Sequence, residues 1–215
     1  MKPVVYTVFI AWLAALVVLA SACSRAPKYP PLPAGAIVLA IGDSVTFGTG
    51  AATGEDYPTQ LAALTGWAIQ NFGISGDTSA GVKGRIDDAL TDIKPALVIV
   101  EIGGNDFLRR QAESVTKENI RTILKRIKQA GVPVVLVATP KFSPLGAAVG
   151  LLADSPIYAE LAEEEQVPLV PSIFAKVLAD GKLKSDPIHP NAAGYRKLAE
   201  GIAAELVTFG FLAKK

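Results

Sequence analysis

One histidine serves the whole chain: His189, in the stretch SDPIHPNAAG, three residues after Asp186. A second candidate group stands far away in sequence, where Ser44 follows an apolar run within GDSVTFG. A serine hydroxyl is a poor nucleophile until a base takes its proton, and an imidazole is the side chain best suited to do so near neutral pH. That imidazole in turn needs an acceptor on its other nitrogen, to fix the tautomer and stabilise the imidazolium. Asp186, in a loop stiffened by Pro187 and Pro190, is at the right reach. Acyl transfer also requires donors for a developing oxyanion. The Ser44 amide, the backbone at Gly76 in GISGDTSAG and the side chain of Asn105 in GGNDFLRR are the candidates. Asp43, Asp77 and Asp106 neighbour these groups and are read as acceptors that brace the loops.

These stretches require a scaffold that brings them together. Apolar runs at 36–41, 67–72, 96–102, 132–138 and 167–170 read as five short strands. Between them, Ile120, Ile123, Leu124 and Ile127 recur at helical spacing. So do Tyr195, Leu198, Ala199, Ile202, Ala203 and Leu206. Strand and helix in alternation predict an α/β fold: a flavodoxin-like, five-stranded parallel sheet in a three-layer α/β/α sandwich. Ligands of such sheets bind beyond the carboxyl ends of the strands. Three of the candidate stretches directly follow a predicted strand, and the fourth follows the last strand and its helix.

Composition narrows the chemistry. With 50% hydrophobic residues in 215, the chain can bury one good-sized core. Its 21 basic and 20 acidic residues nearly cancel, which gives no footprint for nucleic acid. One Cys and one His are too few for the usual zinc sites, which leaves a carboxylate-bound Mg²⁺ open with nothing pointing to one; no metal and no cofactor are expected.

The N-terminus reads separately. Lys2 precedes an uncharged run from Val4 to Ala22, then comes the sole cysteine, Cys23. This is an export signal with three open fates: a lipobox with acylation of Cys23, cleavage after Ala20-Ser21-Ala22, or an uncleaved membrane helix. The expected organisation is an export signal over 1–23, a proline-rich spacer over 24–35 and one folded domain over 36–215. All three fates place the domain outside the cytoplasm, by a lipid anchor or a helix where it stays on the membrane. Nothing in the sequence sets an oligomeric state.

Four blocks, GDS with Ser44, ISGDT with Gly76, GGND with Asn105 and DPIHP with Asp186 and His189, occur in the order and places of those of the SGNH (GDSL) hydrolases. The chain resembles the branch holding the bacterial multifunctional thioesterase, lysophospholipase and arylesterase enzymes, across about residues 36–210. The resemblance implies Ser44 as nucleophile, Ser44 N–H, Gly76 N–H and Asn105 as oxyanion donors, and Asp186 and His189 as the rest of a triad. It implies a serine esterase acting on aryl or short-to-medium acyl esters, with lysophospholipids as further substrates. A carbohydrate O-acetylesterase or an acyl thioesterase of the same family is the alternative, and a flavodoxin-like binder or a catalytically inert binding module stands outside that class. The run 139–156 is more apolar than that branch leads one to expect.

Overall fold

The computed structural model describes residues 29–141 and 152–214. Five strands, β1 (Ile37–Gly42), β2 (Ala68–Gly73), β3 (Leu97–Glu101), β4 (Val134–Val137) and β5 (Leu169–Val170), form one sheet in the order β2-β1-β3-β4-β5. All neighbours pair in parallel, as the alternation of elements predicts. The helices are α1 (Ser44–Phe47), α2 (Tyr57–Thr65), α3 (Ser79–Ile93), α4 (Gly104–Leu108), α5 (Glu113–Gln129), α6 (Ile157–Glu165), α7 (Ile173–Ala179) and α8 (Ala192–Phe209).

Alternate residues of the central strands feed two cores. Leu39, Ile41, Val98, Val100 and Leu136 meet Val82 and Ile86 of α3, Ile120, Ile123 and Ile127 of α5, and Tyr158 and Leu161 of α6. Val38, Ala40, Ile99, Val135 and Val137 meet Leu61 of α2, Phe174 of α7, and Leu198, Ile202 and Leu206 of α8. A period-two strand with apolar residues at every position has no solvent face, so both faces must be covered. Here they are.

Two strands depart from the sequence reading. β2 is an edge strand that exposes Gln70 and Asn71, because among the described residues no strand pairs beyond it and the helices cover it only in part. β5 is shorter than predicted: Pro168 accepts from Leu136 N–H with its carbonyl but has no N–H of its own to extend the ladder.

The expected spacer is corrected for the part that is described. From Tyr29 onward it is attached to the domain, with Tyr29 stacked on Phe211 at 4.2 Å and Leu32 N–H bonded to the Phe211 carbonyl at 2.8 Å. Tyr29 and Leu32 carry apolar surface that the end of α8 covers, which a chain of prolines alone would not offer. The signal segment, Cys23 and residues 24–28 lie outside the described residues. Among the described residues, no helix is long and apolar enough to cross a membrane.

Candidate active site

The end of β1 builds the first half of the site. Asp43 Oδ1 accepts from Val45 N–H at 3.0 Å and so caps α1, whose first residue is Ser44, 8% exposed. The short helix then stops at Gly48, in the left-handed conformation. Gly50 makes the next turn possible. Its φ is +97°, and a Cβ there would meet Ser185 Oγ at 2.1 Å and the Pro190 carbonyl at 2.6 Å. Only glycine lets this loop approach the histidine loop so closely.

That second loop is held by its own polar groups. Asp186 Oδ1 accepts from Ile188 N–H and His189 N–H, both at 2.8 Å, which closes a tight turn. Its other oxygen lies 2.7 Å from His189 Nδ1. The opposite ring nitrogen, Nε2, lies 2.9 Å from Ser44 Oγ. Asn191 then caps α8 by accepting from Gly194 N–H, so the histidine is fixed between a turn and a helix start. Burial pushes the Asp186 carboxyl up, but the hydrogen bonds from the His189 ring and from the Ile188 and His189 amides outweigh it and leave it below the usual carboxylate range. Asp186 is therefore ionised at neutral pH, facing the ring nitrogen that must carry a proton.

Asn105 enters from α4. Its side-chain amide donates to Asp43 Oδ2 at 3.3 Å, leaving its second N–H to point elsewhere. Asp106 beside it accepts from Ser79 N–H at 2.9 Å and Ser79 Oγ at 2.5 Å, tying α4 to the start of α3. Asp77 accepts from Thr78 N–H and pairs with Arg85 at 2.9 Å. All three aspartates brace their loops, as read from the sequence.

Ser44, Asn105 and His189 line one cleft. Asp186 stands behind His189 and does not line it. Gly76 lies outside that lining too, in the turn after β2, with φ +81° and its carbonyl bonded to Arg109. Leu108, Pro140, Leu152, Phe174, Leu178 and Ile188 give the cleft an apolar wall. Thr139, Pro140 and Leu152 thus bring both ends of the 139–156 run to the cleft, whereas residues 142–151 lie outside the described residues.

One group at the cleft was not anticipated. Glu101, the last residue of β3, is fully buried and accepts from Thr46 Oγ1 and Thr139 Oγ1, each at 3.2 Å. Its signal in the sequence was a lone carboxylate within the apolar run ALVIVEI. A charged residue in a strand with no solvent face must find partners at the strand end.

A hydroxyl, an imidazole and a carboxylate in one hydrogen-bonded line, at the carboxyl edge of a parallel sheet, define a serine-dependent hydrolase site. Residues 40–197 match the GDSL-like Lipase/Acylhydrolase family, and the chain belongs to it. It is a GDSL-type serine ester hydrolase with the SGNH fold.

Among its relatives, Esterase TesA of Pseudomonas aeruginosa is 31% identical over 174 residues, 77% of this chain and 85% of that protein. Thioesterase 1/protease 1/lysophospholipase L1 of Escherichia coli is 32% identical, covering 79% and 82%. The crystal structure of AlinE4, an SGNH-hydrolase family esterase, superposes with a TM-score of 0.64 at 31% identity over 82% of this chain and 97% of that one.

Proposed function

We propose that Ser44, His189 and Asp186 form the catalytic triad of an esterase for aryl and short-to-medium acyl esters. His189 Nε2 takes the Ser44 proton as Oγ attacks the acyl carbon, and the charge that develops on the carbonyl oxygen is met by Ser44 N–H and Asn105. Gly76 joins them by family resemblance. The alcohol leaves with the proton from His189, and water attacks the acyl-enzyme by the same route. The observation that carries this reading is the unbroken Asp186–His189–Ser44 line opening onto an apolar wall. An acyl chain would lie against Leu108, Phe174 and Leu178.

A chain-length series of p-nitrophenyl esters, run beside the matching thioesters, tests it. Turnover of the esters that peaks at short or medium length and vanishes in Ser44→Ala supports the assignment. Preference for the thioesters or for acetylated sugars moves the protein to another activity of its family.

We further propose that the chain is exported and held on a membrane through Cys23. The uncharged run before the sole cysteine supports this. Mass spectrometry of the mature N-terminus should find a diacylglyceryl adduct on Cys23; an unmodified Cys23 there, or an intact leader, excludes it. Tyr29 is six positions later and packs at the C-terminal end of α8, whereas His189 precedes its N-terminal end. An 18-residue helix is about 27 Å long. The cleft therefore lies toward the opposite end of α8 from Tyr29, an arrangement that favours esters that arrive dissolved.

A further inference from the structure

Beneath the cleft lie two carboxyl groups that proton transfer between Ser44 and His189 does not use. Asp43 is 2% exposed and Glu101 is fully buried, and both line the same cleft, where Glu101 accepts from Thr46, three positions after Asp43. Among the described residues, neither forms an ion pair with Lys or Arg. The groups that face them from the packed elements are Asp106 of α4, Tyr57 of α2, Tyr158 of α6, Tyr195 of α8 and His189. Of these only His189 can become a cation.

We propose that Glu101 is a neutral carboxylic acid which donates its proton to Asp43 and so fixes the Asn105 amide, making Glu101 a positioning residue of the oxyanion site. The proposal rests on the roles given above to Ser44 and Asn105.

Four contacts support it. Asp43 Oδ2 holds Asn105 Nδ2 and Oδ1 holds Val45 N–H, so this one carboxylate sets both the Asn105 amide and the turn that carries Ser44. Asp43 can do so only while its own position is fixed from behind, where Glu101 stands. Glu101 in turn accepts from Thr46 and Thr139, which ties the exits of β1, β3 and β4 into one unit. Two adjacent buried carboxyls without a cation cannot both ionise. Burial, followed by the charge on Asp43, holds Glu101 well above the usual carboxylate range, whereas burial pushes Asp43 only to about 6. Of the two, Glu101 is the one that keeps the proton. A second negative charge there would repel Asp43, pull it from Asn105, and oppose the negative oxygen that forms in the transition state.

The experiment compares full-length wild type, Glu101→Gln and Glu101→Leu. Gln keeps the volume and a donor toward Asp43 without a titrating proton; Leu keeps neither donor nor acceptor. At pH 8 the wild-type infrared spectrum should show a carboxylic-acid C=O band that is missing in Glu101→Gln. On a soluble ester, kcat of the Gln variant should stay within about threefold of wild type, while Leu falls by about 10- to 100-fold with KM little changed. Raising the pH until the buried pair loses its proton should depress wild-type kcat and leave Glu101→Gln level; burial pushes the three tyrosines further up still, so they contribute no limb. A wild-type spectrum without the band, a band that survives in Glu101→Gln, or a Gln variant as impaired as Leu overturns the proposal. Labelling of wild type by a fluorophosphonate keeps the two readings apart. A wild type labelled at Ser44 with the wrong Glu101 results loses this proposal alone, and a wild type unlabelled at Ser44 loses the triad with it.

Discussion

His189 Nε2 lies 2.9 Å from Ser44 Oγ although 145 positions of chain separate them. Neither residue is placed by its neighbour in sequence alone. Ser44 is held by a cap at the end of β1, His189 by the Asp186 turn before α8, and the Gly50 approach brings the two loops together. Such pre-set geometry is what converts a weak hydroxyl into a nucleophile.

A fluorophosphonate should therefore label the protein once, at Ser44. His189→Ala should abolish turnover, because the chain has no second histidine to act as base. Peptide mapping after labelling checks the first point; a label that persists in Ser44→Ala would remove Ser44 from its role.

Asp186→Asn should lower kcat by about 10³- to 10⁴-fold, since an amide facing Nδ1 favours the wrong imidazole tautomer. The same carboxylate also makes stability depend on pH. Its folded-state ionisation lies below the usual carboxylate range, so it stabilises the fold above about pH 4, the unfolded value, and that contribution is lost as the pH falls through the lower folded one. Urea melts of wild type and Asp186→Asn should converge as the pH drops below about 4. Curves that stay parallel would show that Asp186 is not held in this way.

The strands and the site were legible to different depths. Apolar runs in β1, β3 and β4 gave the sheet, because residues 37–41, 97–100 and 134–137 carry no polar side chain to mislead the reading. The short extent of β5 and the attachment at Tyr29 were not legible, since Pro168 and the prolines around Tyr29 carry the same signal whether a segment is packed or exposed. Ser44, Asn105 and His189 converge as their positions after the strands predicted. Glu101 was overlooked because its partners, Thr46 and Thr139, are 55 and 38 positions away, and hydroxyls so spaced give no pattern.

Asp43→Asn should raise stability at neutral pH relative to acid. Burial lifts the Asp43 carboxyl from 3.8 to about 6, so between those values the folded state binds more protons than the unfolded one and stability falls as the pH rises. Removing the ionisation removes that fall. The stability difference between Asp43→Asn and wild type should therefore shift in favour of the variant by up to about 3 kcal/mol between pH 4 and pH 7. Denaturant titrations at unit pH steps measure it, and a difference independent of pH would mean that Asp43 ionises as an ordinary carboxylate.

Asn105→Ala separates charge stabilisation from proton transfer. The Asn105 amide is held by Asp43 through one N–H, which leaves the other for an oxygen whose charge appears only in the transition state. Such a donor contributes little to binding the uncharged ester, so its loss falls on kcat. We expect a drop of about 10²- to 10³-fold in kcat, roughly 3 to 4 kcal/mol, with KM nearly unchanged. Fluorophosphonate should still label the variant, more slowly, because Ser44 and His189 remain paired. If Asn105 only braced α4, the melting temperature would fall while kcat per active site held. Active-site titration beside thermal melting distinguishes the two, and a well-folded Asn105→Ala enzyme with wild-type kcat would take Asn105 out of the oxyanion site.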